Sequence, residues 1–380
     1  MEADNRPRKT DRTETADIHN LLTTRVLQKF QTTSKDFNQM VDLASSPTIG
    51  TLAPSLTPAS WDCGNGYCKL HFSEGEILIP SYFKQVIETD SNDYESLGNG
   101  AVVEYLQGER SDLSGSKWLI GETAEIYCKQ SFGRIVDDFK NKITYGLQML
   151  LGAIALTPRQ QSYNLFLVAS LHDSQAFAHD LKKALQGKHV VKFDGKDIVN
   201  VDITCQITEE GVGALLVSRA PGQQKVALID LGHGTTITSI FEGNKLLQNS
   251  RKIDTVGVHH LCEAIANNLQ TRRHLGKPAN PHLIREGMSK NFVYGTTSWE
   301  FSSIYSSELK GWLASCLVPA WKHLQSRADD LDAIYLVGGG AMLPSVSAIA
   351  SRQGIAQISN SQTANAIGLL KLAVASLKKA

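Results

Sequence analysis

Short apolar runs separated by turn residues follow one another from about residue 60 onward, and they predict a series of strands. Asn164 to Ser170 is a short apolar run typical of a buried strand, and Ala333 to Val337 predicts a strand that enters a glycine loop. Two strand-like pieces, His189 to Phe193 and Ile198 to Ile207, are joined by a turn at Asp194-Gly195.

Apolar residues at helical spacing predict helices between and after these strands. The predicted helices are Asp137 to Leu156, Asp173 to Leu185, Val258 to Leu269, Leu309 to Leu324 and Thr363 to Lys379. Within the fourth of these, Pro319 predicts a kink or an interruption, because proline removes a hydrogen bond from the helix backbone.

The first 56 residues differ in composition from the rest of the chain. Residues 1–16 are polar and dense in charge, which predicts disorder. Six apolar residues between Asp17 and Phe30 recur at helical spacing and predict an amphipathic helix, and Ser45 to Ser60 reads as a Pro/Ser/Thr linker. The helix could pack on the body or stay partly disordered, bind a partner, or lie on a membrane. Its balanced charges argue against the membrane, because interfacial helices are usually basic on the polar face.

One pattern occurs twice. Asp-x-Gly-x-Gly begins at Asp62 and again at Asp230, and a Glu-Gly turn follows each copy, with Gly75 and Gly243 each thirteen residues after the aspartate. Each copy therefore predicts a strand, a tight glycine loop, a second strand, a turn and a third strand. A hairpin repeated with the same internal spacing indicates a duplicated structural unit.

The residue types in this repeat suit the binding of phosphate groups. Glycine lets the backbone approach a ligand closely, so each loop can present successive N–H groups to an anion. Two such loops facing each other would clamp a polyphosphate. An aspartate at the head of each loop would add carboxylate oxygens for Mg²⁺, directly or through bound water.

Length and charge narrow the class of protein. A chain of 380 residues is too long for one compact core and predicts two lobes. Lys plus Arg equals Asp plus Glu, at 38 each, and no local basic patch is evident. We therefore expect no direct binding of DNA or of an anionic membrane.

The remaining composition predicts a cytoplasmic protein. The six cysteines form no Cys-x-x-Cys pair and no set with zinc-like spacing, so reduced thiols are expected. No apolar run approaches the roughly 20 residues that span a bilayer, and the charged start is not a secretory signal. The adjacent His259 and His260 diverge by about 100° on a helix, which favours structural or exposed side chains over a shared metal.

The paired hairpins, with the later glycine-rich stretch Val337 to Pro344, resemble the actin-type ATPase superfamily of actins, chaperone ATPases and sugar kinases. Within it, the form D-x-G-N-G-x-x-K from Asp62 to Lys69 is most similar to the ParM-like bacterial actins that segregate plasmids. The resemblance covers the chain from about residue 60 to its end. Five other stretches support it: Ile79 to Phe83, Ile120 to Glu122, Asn141 to Ile154, Glu209 to Leu216 and Ala364 to Leu372.

This resemblance implies an α/β fold, the actin-like ATPase fold, with two similar lobes, duplicated β-hairpin phosphate loops and a nucleotide cleft between the lobes. The implied boundaries place an N-terminal extension and linker at residues 1–56. Domain I, with the first phosphate loop, occupies residues 57–222, and domain II, with the second phosphate loop and the nucleoside loop, occupies residues 223–360. A C-terminal helix at residues 361–380 returns to domain I.

The resemblance also implies the site residues. Asp62 and Asp230 would be catalytic and would orient Mg²⁺ and water, and Glu210 matches the catalytic glutamate. Glu209 precedes it where the family more often has proline, so Glu209 is the alternative. The implied nucleotide-binding residues are Gly64, Asn65, Gly66, Lys69, Gly232, His233, Gly234, Thr235, Thr236, Gly257, Gly338, Gly339, Gly340 and Met342.

The function implied is that of a polymerising actin-like ATPase or GTPase. Filaments would assemble with ATP or GTP and Mg²⁺ and be destabilised by hydrolysis, and an adaptor protein bound to centromeric DNA would link them to plasmids. In an alternative, the N-terminal extension tethers filaments at the cell cortex. A second alternative is a small-molecule kinase on the same fold, although no sugar-kinase signature is evident beyond the phosphate loops. A peptide-binding chaperone would need a further domain after Gly340, and the sequence there is too short.

Overall fold

Two β-sheets with helices packed against them form the described part of the protein. The computed structural model describes residues 56–87, 92–129, 131–138, 140–247 and 249–379. The N-terminal helix predicted at residues 17–30 and most of the predicted linker lie outside these residues. The helices that the structure describes include none that is both long and apolar enough to cross a membrane.

Ten strands form the first sheet, in the order β3-β2-β1-β8-β10-β9-β5-β6-β4-β7. The two pairs that β8 makes with β1 and β10 are parallel, and the other neighbours are antiparallel. The strands are β1 (Thr57–Cys63), β2 (Tyr67–Phe72), β3 (Gly75–Pro80), β4 (Tyr82–Val86), β5 (Gly100–Gly108), β6 (Lys117–Gly121), β7 (Gly133–Arg134), β8 (Ser162–Leu171), β9 (Gly187–Phe193) and β10 (Asp197–Glu209). The three strands predicted at residues 164–170, 189–193 and 198–207 are confirmed as β8, β9 and β10.

The predicted linker extended too far. Residues 57–60 belong to β1, which pairs with β8 on one side and β2 on the other. Ala59 and Trp61 are buried on this strand, and Pro58 lies near its beginning, where proline is tolerated. The local composition reads as a linker because the contacts that make this segment a strand come from distant parts of the chain.

The second sheet has six strands in the order β13-β12-β11-β15-β16, and β14 also pairs with β12. The strands are β11 (Lys225–Leu231), β12 (Thr236–Glu242), β13 (Lys245–Leu246), β14 (Lys252–Asp254), β15 (Ala333–Val337) and β16 (Ala356–Gln357). The strand predicted at residues 333–337 is confirmed as β15.

The duplication predicted from the two Asp-x-Gly-x-Gly copies is confirmed. In the first sheet the β1-β2 hairpin has β8 as a parallel neighbour, and in the second the β11-β12 hairpin has β15 in the same place. The third strand of the second copy is only two residues long, because β14 takes up the rest of the edge of β12.

Eleven α-helices are described: α1 (Glu122–Cys128), α2 (Asn141–Thr144), α3 (Gly146–Ala155), α4 (Ser174–Leu185), α5 (Val212–Ser218), α6 (Val258–Asn267), α7 (Leu269–Leu275), α8 (Pro281–Ser289), α9 (Ser302–Gln325), α10 (Val346–Ser351) and α11 (Ala364–Leu377). The helices predicted at residues 173–185, 258–269 and 363–379 are confirmed as α4, α6 and α11, within a few residues at the ends.

Two helix predictions need correction. The single helix expected from residue 137 to residue 156 is divided at Tyr145, whose ring stacks on Phe83 with centroids 3.9 Å apart. The helix expected to begin at residue 309 begins at Ser302 and continues through Pro319 without interruption. Cys316 and Ala320, on either side of the proline, are fully buried, so packing compensates for the lost backbone hydrogen bond.

Helix α11, near the end of the chain, packs on the first sheet and on α5. Ser60 in β1 donates a hydrogen bond to Ala366 O at 2.7 Å, and Leu369 packs against Val168 in β8. The two helices approach so closely that a β-carbon on Gly368 would collide with the backbone of Gly213. This crossing is therefore possible only with a glycine at residue 368.

Gly368→Ala tests this close approach. The added methyl group has to push α11 away from α5, so we expect a loss of roughly 1 to 3 kcal/mol in the free energy of unfolding. Gly311→Ala is the matched control, because Gly311 also lies in a helix but faces open space. Alanine there should be neutral or stabilise by up to about 1 kcal/mol. Urea denaturation of both variants measures the difference, and equal stabilities would contradict the packing described here.

Candidate functional site

A cavity of about 90 Å³ lies where the two hairpin loops and the loop after β15 meet. It is small, with room for about three water molecules. Its lining residues are Asp62, Gly64, Asn65, Gly66, Tyr67, Lys69, Lys142, Glu210, Ala214, Asp230, Gly232, His233, Thr235, Ile237, Val337, Gly338, Gly339, Ser361, Gln362 and Asn365.

Asp62, at the end of β1, forms an ion pair with Lys69 directly across the hairpin. The Lys69 Nζ lies 2.7 Å from Asp62 Oδ2, and the two residues are register partners in β1 and β2. Burial by itself would raise the pKa of Asp62, but the Lys69 ammonium outweighs it, so this pKa lies below its ordinary value. In the same way, the Asp62 carboxylate raises the pKa of Lys69 against the effect of burial. Both groups are therefore charged at neutral pH.

Asp230 holds the equivalent position at the end of β11, but its surroundings differ. Its register partner in β12 is Ile237, so no ammonium group lies opposite it. Burial raises the pKa of Asp230 to about 7, and the negative charge of Glu210 adds to this effect. The duplicated hairpins thus present one ionised carboxylate, Asp62, and one carboxyl group, Asp230, that is partly protonated near neutral pH.

Glu210 enters the cavity from the end of β10. Its backbone N–H donates to Leu171 O at 2.9 Å, which continues the β8-β10 pairing, and its carboxylate lies 3.5 Å from the Lys142 Nζ. The Glu210 Oε2 atom is buried and has no hydrogen-bond partner among the described residues. Burial lowers the pKa of Lys142, but the charge of Glu210 raises it above the ordinary value, so the lysine stays protonated.

The alternative residue, Glu209, points elsewhere. Its carboxylate lies 2.5 Å from Arg251 Nη1 and accepts hydrogen bonds from the backbone N–H and the hydroxyl of Ser174 at the start of α4. These contacts fix the end of β10 against α4. Of the two neighbouring glutamates, only Glu210 lines the cavity.

The two glycine loops touch each other across the cavity. A β-carbon on Gly66 would lie 2.7 Å from His233 Cβ, and one on Gly234 would lie 2.9 Å from the Asn65 amide nitrogen. Burial lowers the pKa of His233 well below its ordinary value, and the charge of Arg285 lowers it further, so the imidazole is neutral. The loops can approach this closely because both contact points are glycines.

The loop after β15 closes the third side of the cavity. Gly338 has a φ of +87°, and a side chain there would collide with the Asp230 carboxyl group and with Leu231 O. Its N–H donates to Ser361 O at 3.0 Å. Only glycine combines this backbone conformation with contact to Asp230.

A neighbouring cavity of about 520 Å³ continues from the first, and the two share Gly66, Tyr67, His233, Gly339 and Gln362. Met342, which is 56% exposed, lines this second space with Leu343 and Pro344. The small polar cavity is thus continuous with a larger cavity that has an apolar wall.

Most residues implied by the sequence come together here, and some do not. The first cavity is lined by Asp62, Gly64, Asn65, Gly66, Lys69, Glu210, Asp230, Gly232, His233, Thr235, Gly338 and Gly339. Four others do not line it: Gly234 contacts Asn65 in the opposite loop, Gly340 packs against Leu231, Gly257 contacts the His233 carbonyl, and the Thr236 hydroxyl donates to Val256 O at 2.7 Å.

Sequence reasoning missed several residues that line this cavity. Lys142 lies in the stretch Asn141 to Ile154, which carried part of the resemblance, yet a single lysine at the start of a helix gives no sign that it faces the carboxylate of Glu210, just after β10. Asn365 donates to the Ser170 hydroxyl at 2.9 Å and comes from α11, about 300 residues after Asp62. Only the folded chain brings these residues together.

The raised pKa of Asp230 predicts a pH dependence of stability. Between the ordinary aspartate pKa of 3.8 and about 7, the folded state holds a proton that the unfolded state releases. This group therefore stabilises the fold at low pH, and its contribution is lost as the pH rises through 7. The free energy of unfolding of Asp230→Asn, taken relative to the wild type, should therefore increase by roughly 1 to 4 kcal/mol between pH 4 and pH 7. Above pH 7 this difference should stay constant.

Urea denaturation of the nucleotide-free protein at a series of pH values measures this difference. Asp329→Asn is the control, because Asp329 is exposed and does not line the cavity. A stability difference for Asp230→Asn that stays constant with pH would contradict the proton assigned to Asp230.

Two family models match this sequence. The actin-like protein N-terminal domain matches residues 60–213, and the C-terminal domain of the MreB-like archaeal actin homologue matches residues 228–345. The two matched segments together cover more than half of the chain. The first contains the β1-β2 hairpin and Glu210, and the second contains the β11-β12 hairpin and Gly338. No curated protein matches the sequence.

Solved structures of actin homologues have the same fold at low sequence identity. The archaeal actin homologue Ta0583 is 17% identical, with a TM-score of 0.67 over 84% of this chain and 99% of its own. A 15-stranded ParM filament from Clostridium botulinum is 17% identical, with a TM-score of 0.65 over 84% and 100%. Bacillus thuringiensis ParM with ATP is 15% identical, with a TM-score of 0.61 over 84% and 99%. The chain belongs to the actin-like proteins, and its fold is the actin-like ATPase fold of ParM and the archaeal actin homologues.

Proposed function

We propose that this protein binds a nucleoside triphosphate with Mg²⁺ between its two hairpin loops, hydrolyses it and polymerises into filaments. The observation that carries the proposal is the convergence of both Asp-x-Gly-x-Gly loops, the Gly338 loop and Glu210 on one cavity. Domain I at residues 57–222 and domain II at residues 223–360 supply one loop each, and the C-terminal segment at 361–380 joins domain I.

The phosphate groups would lie between the two glycine loops. Backbone N–H groups of Asn65, Gly66 and residues 233–235 would donate to them, whereas those of Gly64 and Gly232 already bond within the loops. Lys69 would add a positive charge. Gly66 touches His233, so phosphate groups beside this contact would interact with both loops at once.

The nucleoside would occupy the larger cavity beside the loops. Its volume of about 520 Å³ and its apolar wall near Met342 suit a purine ring, and Gly339 lies on the boundary between the two cavities. Bacillus thuringiensis ParM binds ATP with the same fold, so we propose ATP as the nucleotide rather than GTP.

The carboxyl groups of Asp62 and Asp230 fit a Mg²⁺ ion that arrives with the nucleotide. Magnesium is commonly held by one or two carboxylates together with phosphate oxygens, and it retains several waters. No group of three or more His, Cys, Asp or Glu side chains within the described ranges could hold a metal alone. When bound, the ion would neutralise charge that develops on the phosphate oxygens.

Glu210 would position the water that attacks the terminal phosphate. Its buried Oε2 atom forms an ion pair with Lys142 but has no hydrogen-bond partner among the described residues, so it can accept a hydrogen bond from that water and take its proton. Lys142, 3.5 Å away, would hold the carboxylate in place. Other water molecules would be excluded from the phosphates, because the two loops would pack around them.

The Clostridium botulinum relative is a ParM filament, and this supports self-assembly by the present chain. We propose that hydrolysis destabilises the polymer and that an adaptor protein links it to plasmid DNA. An adaptor is needed because the net charge of the chain is zero, which provides no general attraction to DNA.

Glu210→Ala separates polymerisation from hydrolysis. With ATP and Mg²⁺, the wild type should form a pelletable polymer whose light scattering later decays. The variant should polymerise as well, but its scattering should persist and its rate of phosphate production should fall about 100-fold or more, the usual range for loss of a general base. Parallel samples with GTP, ADP and GDP identify the nucleotide.

Glu242→Ala is the matched control, because Glu242 is an exposed glutamate at the end of β12, away from the cavity lining. It should behave as the wild type does. Absence of polymer with every nucleotide, together with hydrolysis that depends on an added small acceptor, would replace the filament proposal with a small-molecule kinase.

A further inference from the structure

A separate cavity of about 280 Å³ lies between α8 and the elements around α1 and β7. It borders the 90 Å³ cavity of the candidate nucleotide site through His233, and the neighbouring 520 Å³ cavity through His233 and Arg285. Its lining residues are Tyr82, Glu125, Lys129, Phe132, Arg134, His233, His259, Asn280, Pro281, His282 and Arg285. We call this space the basic cavity.

Positive charge predominates in the basic cavity. Lys129, Arg134 and Arg285 are cations, and the single carboxylate in the lining belongs to Glu125. His282 Nε2 lies 3.0 Å from that carboxylate. Arg134 uses its Nε and its backbone N–H on Asp137 at the cavity edge, which leaves its two terminal nitrogens available. The lining therefore holds more positive charge than its own acids neutralise.

Arg285 is the cation in this lining whose positive charge has the least neutralisation by nearby acids. Its Nη1 donates to Gly66 O at 3.4 Å, its Nη2 to His282 Nδ1 at 3.1 Å, and its guanidinium lies over the Tyr67 ring at 4.6 Å. None of the carboxylates in the described ranges forms an ion pair with it, and its buried Nε atom has no partner. A charge removed from water without a counter-ion is costly, so this position favours an anion.

The hydrogen bonds around His282 explain why Glu125 is not the counter-ion of Arg285. The Tyr82 hydroxyl lies 2.9 Å from His282 Nδ1, and Arg285 donates to the same nitrogen. Nδ1 is therefore the acceptor, and the ring proton is on Nε2, which donates to Glu125. The carboxylate is occupied by the imidazole, and Arg285 stays unpaired. The N-terminus of α8, at Pro281, adds partial positive charge on the same wall.

We propose that the basic cavity binds a phosphate anion, held by Lys129 and Arg134 on one side and Arg285 on the other. Its volume of about 280 Å³ admits a hydrated phosphate. Arginine suits such a ligand because its planar donors match two oxygens at once. Because Arg285 also holds the Gly66 carbonyl, an anion here would stabilise the first glycine loop against the second lobe.

The test measures phosphate binding to the full-length protein by isothermal titration calorimetry, with and without saturating ADP and Mg²⁺. ADP fills the candidate nucleotide site except for the position of the terminal phosphate, so phosphate binding that remains with ADP and is lost in a variant of the basic cavity reports a second site. The double variant Lys129→Gln, Arg134→Gln should weaken this binding at least 10-fold. The matched control is Lys188→Gln, Lys277→Gln, which removes two exposed lysines outside the lining and should bind as the wild type does.

Undiminished binding by the double variant, or no binding by the wild type, would overturn the proposal. Thermal melts of both double variants check that each is folded. The titration without ADP keeps this inference separate from the proposed function, since neither mutated residue lines the nucleotide site. If ADP fails to bind but phosphate binds and the double variant loses it, only the nucleotide proposal fails.

A further arm distinguishes the source of the anion. After rapid mixing with ATP, quenched-flow samples measure cleavage, and a fluorescent phosphate sensor measures release. Altered release with unchanged cleavage in the double variant would show that product phosphate passes through the basic cavity. Lost equilibrium binding with unchanged release would show that the site fills from solution. Either result supports the site and names its source.

Discussion

The close approach of two glycine loops is the constraint on which the candidate site depends. Gly66 meets His233 and Gly234 meets Asn65, so each loop forms the opposite wall of the other. The contact brings the aspartates that head the two loops to one small cavity, and β10 adds Glu210 to them. Gly338, which contacts the Asp230 carboxyl group, completes the enclosure and fixes the position of that acid.

The duplication is symmetrical in backbone and asymmetrical in charge. Asp62 has Lys69 across its hairpin, which lowers its pKa, whereas Asp230 has Ile237 there, and burial and the charge of Glu210 raise its pKa. One loop thus contains a charge-neutral ion pair, and the other contains a carboxyl group that titrates near pH 7. The arrival of a Mg²⁺–nucleotide complex would favour loss of the Asp230 proton, so binding and protonation are linked.

The sequence carried much of this information in particular residues. The equal spacing from Asp62 to Gly75 and from Asp230 to Gly243 predicted the paired hairpins, because turn residues at fixed intervals reflect local backbone geometry. The composition predicts a linker over part of β1 and a kink or an interruption at Pro319, whereas β1 is a strand there and the helix is uninterrupted, because both depend on burial by distant segments. Lys142 and Asn365 could not be assigned to the site because their contacts are made across the fold. Arg285 escaped notice for the same reason, and its lack of a counter-ion appears only in three dimensions.

The affinity for ATP with Mg²⁺ in variants of the two loops tests the central claim most directly. Gly66→Ala and Gly234→Ala each place a methyl group where the loops meet, and Gly75→Ala in the turn of the same first hairpin faces open space. Titration with a fluorescent ATP analogue, alongside melting curves that confirm folding, should show at least a 10-fold loss for both loop variants and none for the turn variant. If only one loop variant lost affinity, or neither did, the two hairpins would not form a single nucleotide site.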